Sequence, residues 1–176
     1  MLERHPQSPA GAVRRIEVRV RRHADAIGVS YAIEGELDRL ALPPALPPAR
    51  PPRAAERLWE HTCCELFVAR KGEPGYLEFN FSPSGEWARY VFSEYRKPAL
   101  ATHATASRIT VRREASRLVL EASAPLKGDG AIRVAISAVV EDRDGVLSYW
   151  ALRHAAGEPD FHHRDAFAME LDEVRH

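Results

Sequence analysis

The sequence predicts an all-β fold, a two-sheet antiparallel β-sandwich of jelly-roll-like type. Three observations carry that prediction. Apolar residues alternate with polar ones at the two-residue period of half-buried strands along most of the chain. Clusters of Gly, Pro, Asp and Ser separate these runs at the short spacing of a sandwich. No stretch carries the 3.6-residue period of an amphipathic helix, so α/β architectures are disfavoured.

Residues 1–12 are polar, contain Pro6 and Pro9 and show no period, and are expected to be disordered or loosely attached. A single domain is expected over residues 13–176, a length that can bury a core without disulfides or metals. Ile16, Val18 and Val20 alternate with Arg15, Glu17, Arg19 and Arg21; after His23-Ala24-Asp25, Ile27, Val29, Tyr31 and Ile33 alternate again, which predicts a first hairpin with a basic, edge-protecting side. Between Gly35 and Arg57 stand Pro43, Pro44, Pro47, Pro48, Pro51 and Pro52, which deny the segment helical and central-strand hydrogen bonding. It is predicted to be a stiff strap, residues 35–57, crossing one end of the sandwich. Later alternating runs centre on Ile109, Leu118–Ala122, Ile132–Val140, Val146–Trp150 after the Asp144-Gly145 turn, and Phe167–Leu171, for about nine strands in all.

The stretch from Trp59 to Tyr95 is central. Leu66 and Val68, then Leu77, Phe79 and Phe81, face the core, which sends Glu65, Glu78 and Asn80 to the opposite face. With a reversal of two or four residues centred on Ser84 and Gly85, Asn80 faces Arg89 and Ser82 faces Trp87. Ala88, Tyr90 and Phe92 then join the core, while Trp87 and Arg89 join Glu78 and Asn80; an odd loop would reverse this.

Leu58-Trp59-Glu60-His61-Thr62-Cys63, Glu65-Leu66-Phe67, Glu78-Phe79-Asn80-Phe81-Ser82-Pro83-Ser84-Gly85 with Trp87, and Pro159-Asp160-Phe161-His162 with Phe167 give the chain its family likeness. In these motifs it resembles the bacterial DOMON-like proteins, related to the family 9 carbohydrate-binding modules. The resemblance spans about Val13 to Leu171 and implies the same sandwich. It implies a ligand that is a sugar or, in some relatives, haem held by Met and His. In family 9 modules two aromatics clamp a terminal sugar ring; the resemblance puts Trp59 at one of these positions and Trp150 at the other.

Composition and motifs narrow the remaining classes. Lys plus Arg equals Asp plus Glu at 25 each, so no net field favours nucleic acid or an anionic membrane. The N-terminal residues lack the apolar core of a secretory signal and no run approaches a membrane span, so a cytoplasmic protein is expected. Cys63 and Cys64, adjacent on a strand, point to opposite faces and fit a reducing compartment. No nucleotide loop, HExxH or GxSxG motif occurs, and no enzyme is expected. Glu65 and Glu78 on one face could make a glycosidase pair, but Arg89 offers either one an ordinary ion pair. His61, Cys63, Cys64, His162 and His163 match no zinc spacing, the two late histidines reading as an exposed loop and Cys64 as core. Met169, the one methionine beyond the initiator, alternates with Phe167 and Leu171 as a core residue, so neither metal nor haem nor another cofactor is expected.

A sugar presents apolar C–H faces to aromatic rings and hydroxyls to polar side chains, so its site needs both on one surface. Trp59, Trp87 and Trp150 could supply rings, and Glu60, Glu78, Asn80 and Arg89 polar contacts. The expected function is non-enzymatic binding of a sugar, sugar nucleotide or related metabolite. The rival is an interaction module whose polar face or proline strap meets a protein partner. A concave aromatic-lined cleft would favour the ligand, a flat face the partner.

Overall fold

In the computed structural model, residues 1–44, 52–99 and 107–173 are described. They form twelve strands: β1 (Glu3–Arg4), β2 (Val13–Arg22), β3 (Ala26–Gly35), β4 (Cys63–Arg70), β5 (Tyr76–Phe81), β6 (Trp87–Glu94), β7 (Lys97–Pro98), β8 (Arg108–Arg113), β9 (Arg117–Pro125), β10 (Ile132–Glu141), β11 (Leu147–Ala151) and β12 (Met169–Leu171). Helical structure among the described residues amounts to three 3₁₀ turns, at Leu37–Arg39, Leu58–Glu60 and Arg164–Ala166. None is long and apolar enough to cross a membrane. The strands make two antiparallel sheets, one in the order β2-β3-β9-β8 and a larger one in the order β1-β11-β10-β4-β5-β6-β7, with β12 also paired to β10. This is the predicted two-sheet sandwich.

The main core lies between the sheets. Tyr31, Ile33, Leu118 and Leu120 of the small sheet meet Leu66, Phe79, Phe81 and Ile136 of the large one, each at most 2% exposed. Alternation places them there, since each strand buries every second residue. β2 occupies an edge with Arg15, Arg19 and Arg21 exposed, as its basic face predicts.

β4 departs from simple alternation, because Cys63 through Val68 are buried on both faces. The chain between β11 and β12 runs back over the outer face of the large sheet. Its Phe161, Ala166 and Phe167 form a second core with Phe67, Tyr76, Ala135, Val139 and Ala151. Arg133 fastens this segment by donating to the Phe167 carbonyl at 2.7 Å. The larger sheet is therefore the middle layer wherever this segment crosses it.

The central hairpin has the other register. Phe81 pairs with Trp87, Phe79 with Arg89 and Glu78 with Tyr90. The Gly85 N–H donates to the Ser82 carbonyl and the Ser82 N–H to the Glu86 carbonyl, both at 2.9 Å, with Gly85 at φ +92°. That is a three-residue reversal, a type I turn with Pro83 at its second position and a left-handed glycine closing a bulge. Being odd, it moves Trp87 and Arg89 to the inter-sheet side with Phe79 and Phe81, and Ala88, Tyr90 and Phe92 to the outer side with Glu78 and Asn80. Tyr90 and Phe92 are thus half-buried outer residues rather than members of the inter-sheet core.

The opening residues also differ from expectation. β1 pairs with β11, Leu2 is buried and His5 donates its N–H to the Tyr149 carbonyl at 2.8 Å, so residues 1–12 are tied to the large sheet. The sequence hid this because a two-residue strand is too short to show a period. Part of the proline strap, residues 45–51, lies outside the described residues. On either side of it, Leu40 bridges to Asp142 and Ala54 to Trp87.

Candidate functional site

Alternation puts Glu65 on the outer face of β4 and Glu78 and Asn80 on the same face of β5, with Glu65 opposite Asn80 in the pairing. The odd hairpin loop adds Tyr90 and Phe92 from β6 to that face. The second core covers only part of it. Where the cover stops, a cleft of ≈ 500 Å³ remains, with Glu65 and Glu78 among its lining residues. Trp59 stands on one side, 40% exposed and edge-on to Tyr90 at 5.4 Å between ring centroids. Phe92, Tyr149 and Phe161 complete its aromatic lining.

Both carboxyls are desolvated. Glu65 is 3% exposed and accepts a hydrogen bond from the Ser137 hydroxyl at 3.2 Å; Glu78 is 5% exposed and accepts from the Asn80 amide at 2.9 Å. Burial pushes the Glu78 carboxyl up to about 7, with the Asn80 bond and the Arg96 charge acting against the shift. Burial first, then the charge of Glu78, holds Glu65 well above the ordinary carboxylate range. Asn80 is fully buried, and its Oδ1 has no hydrogen-bond partner. An unpaired buried acceptor is costly, about 1–3 kcal/mol, and marks a place where a donor is wanted.

The remaining walls are held by a local network. Asp160 accepts from the Tyr95 hydroxyl at 2.6 Å and from Arg96 at 2.9 Å, which neutralises the Arg96 charge at the cleft border. The Tyr76 hydroxyl accepts from the Arg96 N–H at 3.1 Å and sits 2.8 Å from His162 Nδ1. With the Tyr76 hydroxyl donating to Nδ1, the proton of the neutral imidazole is assigned to Nε2, 3.7 Å from Glu78 Oε2. Burial, followed by the charge of Arg96, lowers His162 to about 4 and keeps it neutral near pH 7.

Of the predicted site, the structure brings Trp59 and Glu78 together in the cleft, with Asn80 buried and bonded to Glu78 but outside the lining, and separates the others from them. Trp87 and Trp150 are each 6% exposed and belong to the inter-sheet core, with the Trp150 indole N–H donating to Ser148 at 3.1 Å. Arg89 lies on the inter-sheet side at a different opening, lined also by Val68, Leu77 and Leu126. Glu60 is exposed and pairs with Arg57 at 2.9 Å, away from the cleft lining. His162, expected in an exposed loop, has a side chain only 16% exposed.

Tyr90, Phe92, Tyr149, Phe161, His162 and Arg96 were missed as site residues. The signal for the first two was present: Ser at the start, Pro second and Gly fourth is the type I pattern with a left-handed closing residue, which implies the odd loop. The others enter through the crossing segment and the β6–β7 turn, whose docking no local pattern encodes.

Cys63 and Cys64 are free and fully buried, with thiols raised by burial, and alternate to opposite faces. Met169 pairs with Val134 and packs against the inter-sheet core, so the large sheet separates it from His162. Purified protein is expected to carry no stoichiometric zinc or haem. Elemental analysis near one zinc per chain, or a Soret band surviving gel filtration, would contradict this.

Solved structures share this architecture. A family 9 carbohydrate-binding module from Caldicellulosiruptor kristjanssonii in complex with glucose is similar at TM-score 0.62 and 9% identity, over 97% of this chain and 83% of that one. A family 9 module from the same organism with cellotriose gives 0.54 and 9% identity, over 83% and 70%. A candidate carbohydrate-binding protein from Bacteroides uniformis gives 0.58 and 16% identity, over 86% and 76%. At such identities the likeness is one of fold. No family model matches the chain, and no curated protein matches it in sequence.

Proposed function

We propose that this chain is a non-catalytic binding module whose outer-face cleft takes a sugar or sugar-like metabolite. The observation that carries the reading is the juxtaposition of an exposed indole with two buried carboxyls in one concavity of ≈ 500 Å³, about the size of a small-ligand site. Trp59 supplies an apolar face for sugar C–H groups, while Glu65 and Glu78 meet hydroxyls from the floor. A concave aromatic-lined cleft of this kind favours a small ligand over the flat contact of a protein partner. The likeness in fold to sugar-bound family 9 modules supports the same choice. A cytoplasmic location is part of the proposal, with two free buried thiols fitting a reducing compartment.

The test is a thermal-shift screen of monosaccharides, oligosaccharides and sugar nucleotides, followed by calorimetry. Trp59→Ala is expected to weaken the bound sugar by about 1–3 kcal/mol while leaving the unfolding transition near its original midpoint, since the ring leaves a surface and not a core. Trp59 is also the exposed one of the three tryptophans, so ligand stacking should change its fluorescence. Absence of any sugar-induced shift, or a Trp59→Ala variant with unchanged affinity, would overturn the reading.

A further inference from the structure

We propose that the cleft selects ligands carrying a cationic ammonium group, so that within the sugar reading above, on which its choice of probe rests, the preferred class is an amino sugar. Glu65 and Glu78 lie on neighbouring strands of one sheet face, both at least nine-tenths buried and both lining the cavity. Among the described residues neither has a Lys or Arg salt-bridge partner. The nearby cation, Arg96, is engaged by Asp160 at 2.9 Å.

What faces the pair explains why a cation is wanted. Cys63 comes from the strand of Glu65, Tyr90 from β6, Tyr149 from β11, His162 and Asp160 from the crossing segment, and Arg96 from the β6–β7 turn. The Arg96 and Asp160 charges offset each other, and the neutral imidazole adds none. Two carboxyls then share a water-poor site with no resident counter-charge. Burial therefore raises Glu65 and carries Glu78 to about 7, which favours a proton on the pair near neutral pH.

The balance of donors and acceptors in the lining points to the same ligand. Asn80, fully buried and opposite Glu65 in the pairing, donates its amide to Glu78 at 2.9 Å, so the carboxyl acceptors that line the cleft are those of Glu65 and Glu78. An ammonium brings three donors, no acceptor and a positive charge, whereas a hydroxyl brings one donor and lone pairs that need donors in return. Trp59, Tyr90 and Phe92 add the electron-rich faces that attract cations. Near neutral pH the ammonium displaces the proton held by the carboxyl pair, and that proton leaves to the buffer.

Calorimetry with D-glucosamine, its neutral N-acetyl derivative, D-glucose and cyclohexylamine, at about pH 7 in two buffers of different ionisation enthalpy, tests this. Glucosamine should bind at least about tenfold more tightly than the N-acetyl sugar and release roughly half to one proton. Glu78→Gln should shrink that preference below about threefold and abolish most of the proton release. If this variant does not fold, the wild-type ratio and proton count decide by themselves. Glucose binding with no ammonium preference or no proton release would overturn the inference while the sugar reading stood. Cyclohexylamine binding with proton release, but no response to any sugar, would uphold the cation and overturn the sugar. Binding of none of the four would overturn both.

Discussion

Replacing Phe79 with alanine should cost about 3–5 kcal/mol in a urea or guanidinium unfolding experiment, whereas Arg89→Ala should cost less than about 1 kcal/mol. The two residues are directly paired across β5 and β6 and share the inter-sheet side, so the contrast isolates packing from position. Phe79 is fully buried and lies parallel to Phe81 with centroids 6.4 Å apart. Truncating it removes the transfer energy of the ring and leaves a cavity between two strands held on both sides. Arg89 is half-buried at the mouth of the sandwich, where its stem shields apolar surface and its head meets solvent. Equal losses would mean that the hairpin faces are not those described.

Relative to the Glu78→Gln variant, the wild-type protein should lose stability as pH rises from about 4.5 to 7. A carboxyl whose folded pKa is raised, as Glu78 is from 4.5 to about 7, stabilises the fold fully below its unfolded value and loses that contribution as pH climbs through the folded one. Glu65 moves in the same direction. His162 acts oppositely: lowered from 6.5 to about 4, it makes the folded state more stable as pH rises between those values. The two effects oppose each other through most of this interval, so the carboxyl contribution is read from the difference between variant and wild type, both of which retain His162. Denaturation of the variant should therefore show a gain of about 2 kcal/mol over wild type near pH 8 and little difference near pH 5. A difference between variant and wild type that does not grow between pH 5 and 7 would show that Glu78 is not desolvated as described.

Much of the fold is written locally. Period-two alternation alone locates the strands flanking Tyr31, Leu66, Phe79, Leu120 and Ile136 and states which of their side chains turn inward. It also puts Glu65, Glu78 and Asn80 on a common outer face, and the break in alternation before Cys63 leaves Trp59 outside the core. These are properties of a single strand or of adjacent residues, and a two-residue period is enough to specify them.

Tertiary structure decided the rest. Alternation does not carry across a turn, so the parity of the Ser82–Glu86 reversal set whether Tyr90 or Arg89 would stand beside Glu78. Trp59 and Trp150 look alike in sequence, yet one stays 40% exposed and the other is buried at 6%, because β11 pairs inside the large sheet. The cleft itself depends on the segment between β11 and β12 folding back over the outer face and stopping short of Glu65 and Glu78. Where that cover ends depends on contacts such as Arg133 with Phe167 and Asp160 with Arg96, between residues far apart in the chain, and no local periodicity records them.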